Sequence, residues 1–444
     1  HYINDENKKK YSIAAVRLAF QDEKNGRQPI YKSINGSKII LSFNGEIYNF
    51  KSIINDLNKE KNINLKTNSD TEVLLELYLK FGIKFYEKIK GMFAISIWDE
   101  RFNKGYLLTD FLAQKPIFYY YDNKILYYSS EINSLKKIIN NGILNINSYA
   151  INDLLTLSCI INGETIYNQI KRLKPAELLE YDLETKNIKT QITKQFNSKN
   201  VNDSLSESAI IEKVKNLLLK AVDTRIDNNK KQSIYLSGGL DSSLIGSICR
   251  YLYPKIEINS FNLKYKGDFV YKEKDQDSYY AELISKKINS NHIIVQTDPK
   301  DLDKYLEEII IFYGEPFAGV PSMWLVSKEI RKYSKYSISG DGADELFGSY
   351  FTHRKSNLDR PKTINDNLLI IANYYDSFIN KNSKNLINRL NSSFKNFSNN
   401  FKFNENPLRN QLLIESQLIF PYKVLNYIDR LSMRRSLEPR SPFL

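Results

Sequence analysis

Cysteine, histidine and long apolar runs are what this sequence has least of. Cys159 and Cys249 are its two cysteines in 444 residues, too few for a disulfide framework and in keeping with a reducing cytoplasm. The three histidines, His1, His292 and His353, are far apart, which argues against a histidine-rich metal centre and a structural zinc. No apolar run reaches the roughly 18 residues of a membrane-spanning helix, so no membrane partner is expected. The opening residues His1-Tyr2-Ile3-Asn4-Asp5 have neither the basic nor the apolar region of a secretory signal.

What is present is the composition of a soluble globular protein, 42% hydrophobic and 26% charged, long enough for two or three domains. The net charge of +13 raises the question of nucleic acid. The 64 basic residues are spread along the chain, and Lys8-Lys9-Lys10 and Lys230-Lys231 are too short for a basic arm. No nucleic-acid partner is expected.

The first part reads as an α+β domain. Ile39 to Phe43 is a strand ending in the turn signal Asn44-Gly45. Ser69 and Glu72 have capping-box spacing, and Val73, Leu74, Leu77, Tyr78 and Phe81 follow at helical period up to a stop at Gly82. Strands are expected over Met92–Trp98, Tyr106–Thr109 and Pro116–Tyr121, the last turning at Asp122-Asn123 into Ile125–Ser129 as a hairpin. Locally paired strands with grouped helices predict stacked antiparallel sheets. A polar stretch over 197–206 reads as a linker. Beyond it helix and strand alternate, from a helix over 207–223 to a strand at Tyr336–Ser339, which predicts a doubly wound parallel sheet. Residues 363–403 are expected to be helical.

Two loops carry chemistry. Ser237-Gly238-Gly239-Leu240-Asp241-Ser242-Ser243 lies between a strand and a helix. Its glycines let backbone N–H groups approach a polyanion, and Ser242 and Ser243 sit at a helix N-terminus that favours phosphate. It lacks the lysine of a Walker A loop. A carboxylate such as Asp241 belongs in an anion pocket only with Mg²⁺ between it and the phosphates. The second loop, Ser339-Gly340-Asp341-Gly342-Ala343-Asp344-Glu345, follows another strand and should face the first across the crevice at the carboxyl ends of the strands. Asp344 is the expected second Mg²⁺ ligand. Asp341 and Glu345 are candidates for orienting substrate or moving protons.

These loops, with the closing segment Tyr427 to Leu444, resemble three motifs of glutamine-hydrolysing asparagine synthetases. Asn44 to Asn49, Ser69 to Glu72, Gly91 to Ala94 and Gln114-Lys115-Pro116 are similar to motifs of that family's N-terminal-nucleophile glutaminase half. The resemblance implies an αββα glutaminase domain over 1–198 and an adenine-nucleotide α-hydrolase-like synthetase domain over 199–444. It implies ATP and Mg²⁺, the substrates glutamine and aspartate, and release of AMP and pyrophosphate; a homodimer is compatible with it. By resemblance, Arg17 and Leu18 would bind glutamine with Glu46 and Asp70, and Asn44 and Gly45 would form the oxyanion hole. Leu236, Leu263, Ser339 and Gly340 would line the nucleotide, Asp341 would act in acyl-adenylate formation, and Arg430 would lie near the adenylate. Read without the resemblance, Asn44-Gly45 is also a tight turn, Asp70 part of a helix cap, and Arg430 a surface arginine paired with Asp429.

The sequence departs from the family in places. Its expected N-terminal cysteine nucleophile has no counterpart, so the chain is expected to be a fragment cut at both ends and inactive toward glutamine. Cys159 and Cys249 read as core residues. Thr109 and Ala113 replace an arginine and a glycine usual before Lys115-Pro116. The acceptor also stays open between aspartate and another carboxylate, such as a sugar acid. A tRNA-modifying enzyme would bring an RNA-binding domain or a CxxC pair, which are missing, and a non-catalytic scaffold would not need Asp241 and Asp344.

Overall fold

Ile39, Ile40 and Leu41 are all fully buried, which requires a strand with packed layers on both faces. The computed structural model describes residues 2–4, 11–18, 20, 22, 24–59, 65–139, 143–194, 205–266, 272–319, 321–379, 387–392 and 405–444. It divides into two units, one of residues 1–150 and 162–195, the other of 151–161 and 196–444.

The first unit holds β1 (Tyr2–Asn4), β2 (Tyr11–Ile13), β3 (Ile30–Ile34), β4 (Ser37–Ile47), α1 (Phe50–Asn58), α2 (Asp70–Phe81), β5 (Gly91–Asp99), β6 (Lys104–Thr109), β7 (Phe118–Tyr121), β8 (Leu126–Ser129), α3 (Ile132–Lys136) and α4 (Ser148–Leu157), which runs into the second unit. It is completed by β9 (Ile170–Arg172), β10 (Glu177–Asp182) and β11 (Ile188–Ile192). Six strands form an antiparallel sheet in the order β11-β10-β6-β5-β4-β3, and β8-β7-β9 form a smaller one. Strand alternation sorts the core. Ile39, Leu41, Phe43, Ile95 and Ile97 join Val73, Leu74, Leu77 and Leu57 of the helices. Ile40, Ala94, Trp98 and Leu179 join Ile117, Leu126 and Leu173 on the other side. The helix and strand layers therefore stack as expected.

Two local readings change, and one substitution gains a structural context. Asn44-Gly45 lies inside β4, paired with Ala94 and Phe93 of β5, and makes no hairpin. Ser69 does cap α2, accepting from Thr71 N at 3.2 Å, but Glu72 does not complete a box. Its carboxylate instead accepts from Lys66 N at 2.9 Å and Thr67 N at 2.7 Å, donors nearer than the cap. Ala113 takes φ +49°, the left-handed conformation in which the family's glycine carries no steric cost.

The second unit contains α5 (Glu207–Asp223), β12 (Gln232–Tyr235), α6 (Leu240–Leu252), β13 (Ile258–Tyr265), α7 (Lys272–Lys287), β14 (Asn291–Thr297), α8 (Leu302–Tyr313), α9 (Ser322–Ile330) and β15 (Tyr336–Ile338). After these come α10 (Ala343–Phe347), α11 (Phe351–Asp359), α12 (Ile364–Ile379), α13 (Pro407–Leu418), α14 (Asn426–Arg434) and β16 (Glu438–Arg440). Its sheet is parallel throughout, in the order β14-β13-β12-β15-β16. From β12 the chain winds first toward β14 and then returns to β15 on the other side, so the switch point lies between β12 and β15. Strand β16 is a finding: a three-residue strand containing Pro439 carries no readable alternation. Of the helical expectation for 363–403, Ile364–Ile379 and residues 387–392 are helical, and 380–386 and 393–403 lie outside the described residues. The residues expected to form a linker fall almost wholly outside them as well.

Candidate active site

The loop after β12 and the loop after β15 leave neighbouring strand ends and touch. A Cβ on Gly340 would stand 2.8 Å from Ser242 N and 3.0 Å from Asp241 C, so any larger residue would part the two loops. Gly238 is equally constrained: at φ +90°, its Cβ would meet Asp277 O of α7 at 2.1 Å. Glycine is required here both by conformation and by space.

The helix after the first loop starts earlier than expected, at Leu240, with Gly239 as its N-cap. The two serines then part company. Ser242 Oγ turns inward to brace the loop, accepting from Ser237 N at 3.2 Å and lying 2.9 Å from Ser237 Oγ. Ser243 N is already used, donating to Gly239 O at 3.1 Å. Helix geometry leaves the N–H groups of Leu240, Asp241 and Ser242 without intrahelical acceptors. Ser243 Oγ is buried with no protein hydrogen-bond partner. Orphan amides and an orphan hydroxyl in the first turn of one helix fit a bound phosphate.

The carboxylates fit a hard cation between the loops. Burial pushes the Asp241 carboxyl above its ordinary value, and the charge of Asp344 adds to this. Asp341, deeply buried, is raised in the same way, chiefly by burial. Glu345 is pushed up to about 7, first by burial and then against a hydrogen bond from Tyr350. Among the described residues no group of three or more metal-ligating side chains assembles. The protein would thus supply two carboxylates, Asp241 and Asp344, and leave the remaining positions to phosphate oxygens and water, the usual arrangement for Mg²⁺.

Leu236 and Ser339 are buried at strand ends, their amides donating to Phe261 O (2.8 Å) and Arg440 O (3.0 Å). Leu263 sits two residues beyond Phe261 on β13, the neighbouring strand. The four expected nucleotide residues, Leu236, Leu263, Ser339 and Gly340, therefore come from the carboxyl ends of adjacent strands. Asn262 was not anticipated: it donates to Leu236 O at 3.2 Å and accepts from Ser278 Oγ at 3.0 Å. Its signal was a polar residue within an otherwise buried strand.

Arg430 is not a surface residue. It is 1% exposed, donates to Glu315 Oε1 at 3.1 Å and to Tyr313 O, and lies over the Tyr313 ring at 3.5 Å. Glu315, far off in sequence, is the acidic partner that the pairing with Asp429 was expected to provide.

In the first unit, Arg17 donates to Asp22 O at 3.2 Å and packs on Gly26, where a Cβ would lie 2.6 Å from Arg17 Nη2 and 2.9 Å from Ser69 Oγ. Gly26, also unanticipated, lets Arg17 reach the start of α2, where Asp70 is buried. Two residues on, just before β3 begins, Gln28 Oε1 accepts from Phe43 N at 2.7 Å. By alternation Gly45 N–H faces that same open side. Phe93, opposite Gly45, has both backbone groups bonded to Asp110, N to Oδ2 at 3.0 Å and O from N at 2.9 Å. Glu46 is buried and Leu18 half-buried. Gly45 itself needs no side chain: its Cβ would fall 2.0 Å from Met92 O.

A stacked-sheet unit followed by a doubly wound unit whose switch point carries a glycine-rich loop defines a chain of two parts. Residues 4–195 match the model of a glutamine amidotransferase domain, and residues 213–444, just over half the chain, match that of asparagine synthase. The chain belongs to the asparagine synthase family. Among curated relatives, asparagine synthetase (glutamine-hydrolysing) 3 of Bacillus subtilis is 27% identical over 96% of this chain and 71% of its own length. Asparagine synthetases 1 and 2 of the same organism are 27% and 29% identical over 80% and 77% of this chain, and 54% and 47% of theirs. The chain thus spans from about half to seven tenths of these relatives. Among solved structures, a glutamine phosphoribosylpyrophosphate amidotransferase from B. subtilis shares 16% identity at a TM-score of 0.28, over 55% of this chain and 50% of that one, a likeness too low to carry an argument.

Proposed function

We propose that the chain uses ATP to convert a carboxylate to its amide, with aspartate as acceptor and ammonia drawn from glutamine. The observation that carries this reading is the contact of the two loops, where a Cβ on Gly340 would stand 2.8 Å from Ser242 N and 3.0 Å from Asp241 C, in a helix turn that also holds the unpartnered Ser243 Oγ. A carboxylate oxygen of the acceptor attacks the α-phosphorus of ATP, the bond to the bridging oxygen breaks, and pyrophosphate leaves. Ammonia then attacks the acyl carbon, expelling AMP. Mg²⁺, held by Asp241 and Asp344, would supply the positive charge that offsets the phosphates. Leu240, Asp241 and Ser242 present their amides to the leaving phosphates. Leu236, Leu263, Ser339 and Gly340 line the adenosine side, with Ser237, Gly238 and Gly239 shaping the loop. Asp341 and Glu345 orient the acceptor or move its protons, and Arg430, anchored by Glu315, is the cation assigned to the adenylate step.

In the first unit, Arg17 and Leu18 hold the glutamine carboxylate end with Glu46 and Asp70. The Asn44 side chain and Gly45 N–H receive the oxyanion. Such hydrolysis needs a thiolate. Cys159 and Cys249 are buried, and burial pushes the Cys249 thiol up to about 12, so neither supplies it. The partners are small molecules, and the cytoplasm is the proposed setting.

The test is pyrophosphate release with ammonia as nitrogen donor, comparing aspartate with uronic acids. Aspartate-dependent release with asparagine as product is expected. Release with a uronic acid alone would move the acceptor, and no carboxylate-dependent release would sink the reading.

A further inference from the structure

The acidic residues Asp344 and Glu345 lie on α10, a five-residue helix bracketed by Gly342 at φ +93° and Gly348 at φ +81°. One turn between two such glycines does not hold itself in place. What holds it comes from elsewhere. Ser349 Oγ donates to Asp344 Oδ1, and Tyr350 OH donates to Glu345 Oε1 at 2.9 Å. Tyr350 is fixed at its other end: its backbone N–H donates to His353 Nδ1 at 3.3 Å, and the two rings lie 5.1 Å apart at 34°.

An amide that donates to Nδ1 leaves the proton of a neutral imidazole on Nε2. That nitrogen faces Glu415 of α13, 3.4 Å from Oε2, with His353 1% exposed. Glu415 is held in turn: Gln411 Nε2 donates to its Oε1 at 2.7 Å, and Asn367 Nδ2 of α12 donates to Gln411 Oε1 at 2.7 Å. Gln411 and Asn367 are fully buried. Every link is a hydrogen bond except that between His353 and Glu415, where Nε2 lies 3.4 Å from Oε2 without hydrogen-bond geometry and the contact is electrostatic.

We propose that the buried relay Asn367–Gln411–Glu415–His353–Tyr350 positions Glu345 and the acidic turn α10 opposite the phosphate loop. Tyr350, His353 and Glu415 are then positioning residues; their use in amidation rests on the function proposed above, while the positioning itself does not. Nothing about this relay requires substrate contact by Glu415 or His353. Helices α11, α12 and α13 thereby have a task beyond packing, since they set the geometry of a loop that belongs to the sheet.

Two substitutions break the relay without removing bulk. Tyr350→Phe deletes the hydroxyl and keeps the ring on His353. Glu415→Gln keeps an acceptor for Gln411 but sets an amide N–H₂ against the His353 N–H. Ile371→Val, in the core of the same helices, is the control for loosened packing. Amide hydrogen exchange over residues 341–349 is measured on the full chain by mass spectrometry, and pyrophosphate release is measured alongside. Exchange should quicken about tenfold in both relay variants, the effect of one hydrogen bond to a charged group, and stay put in Ile371→Val. The kcat should fall about tenfold with KM for ATP changed less than about twofold, a split that general destabilisation does not give. Unchanged protection of 341–349 in both relay variants overturns the proposal, whatever the activity. Faster exchange with unchanged kcat overturns the link to catalysis. Faster exchange in variants of a wild type that releases no pyrophosphate upholds the positioning and counts against the proposed function alone.

Discussion

Alanine at Gly45 would place a methyl group inside a strand pair. Its Cβ would stand 2.0 Å from Met92 O and 2.9 Å from Phe93 Cα, at φ +136°. The obstructing atoms are backbone, and β5 cannot retreat because β6 pairs along its other side from Ala94 to Asp99. The substitution therefore has two costs. A backbone conformation that side chains avoid costs about 1–3 kcal/mol. Opening β4 from β5 far enough to clear the carbonyl sacrifices about two ladder hydrogen bonds, at about 1 kcal/mol each. The sum is about 3–5 kcal/mol. Gly36→Ala isolates the first term, since Gly36 has φ +82° and nothing within 4 Å of its Cβ; it should cost about 1 kcal/mol. The two tryptophans allow each unit to be followed separately, because Trp98 lies in β5 and Trp324 in α9 of the second unit. In a Trp324→Phe background, urea unfolding monitored by tryptophan fluorescence reports on the first unit alone. Gly45→Ala should lie about 2 kcal/mol or more below Gly36→Ala, with the m-value unchanged. Equal stabilities for the two variants would refute the steric reasoning and imply that β4 and β5 separate freely at this point.

Other outcomes follow from the same geometry. Asp241→Asn should weaken Mg-ATP binding at least about tenfold by calorimetry, while raising the melting temperature of the nucleotide-free protein, because it removes a desolvated charge that faces Asp344. Ala113→Gly should stabilise the first unit by up to about 1 kcal/mol in urea titrations, relieving the positive φ of a buried alanine. Asp153→Asn should cost about 3 kcal/mol or more in the second unit, because fully buried Asp153 is gripped by Arg389, whose Nε lies 2.6 Å from Oδ1. Cys159 and Cys249, both buried, should react with a thiol reagent only as fast as the second unit opens, a rate checked by labelling in increasing urea.

Much of the nucleotide loop was legible because its cause is local. A strand, two glycines, an acid and two serines specify a turn and a helix start within seven residues. The exact start of α6 was missed because Ser242 resembles an N-cap, whereas its hydroxyl is drawn back to Ser237. Asn44-Gly45 carries a turn signal, and the longer strand wins because β5 offers register on both sides of it. Glu72 followed a capping rule that nearer donors at Lys66 and Thr67 overrode. The partner of Arg430 could not be read at all. Glu315 and Arg430 are separated by 115 positions, and no local pattern encodes such a pair. Strand β16 was hidden for the same reason, since its three residues become a strand only when β15 is beside them.

That last strand bears on how the chain matures. Strand β16 completes the edge of the sheet next to β15, Ser441 Oγ donates to Asp341 O a hundred positions earlier, and a Cβ at Gly342 would strike Leu444 Cδ2 at 2.6 Å. The acidic loop is thus walled by a segment made long after it. A ribosome adding about 5–20 residues per second needs several seconds between the two. During that interval the loop lacks its outer support, so a nascent chain should not be able to grip the nucleotide. Competence for ATP would then be conferred only once residues 438–444 are in place, which would keep chains not yet extended that far from sequestering it.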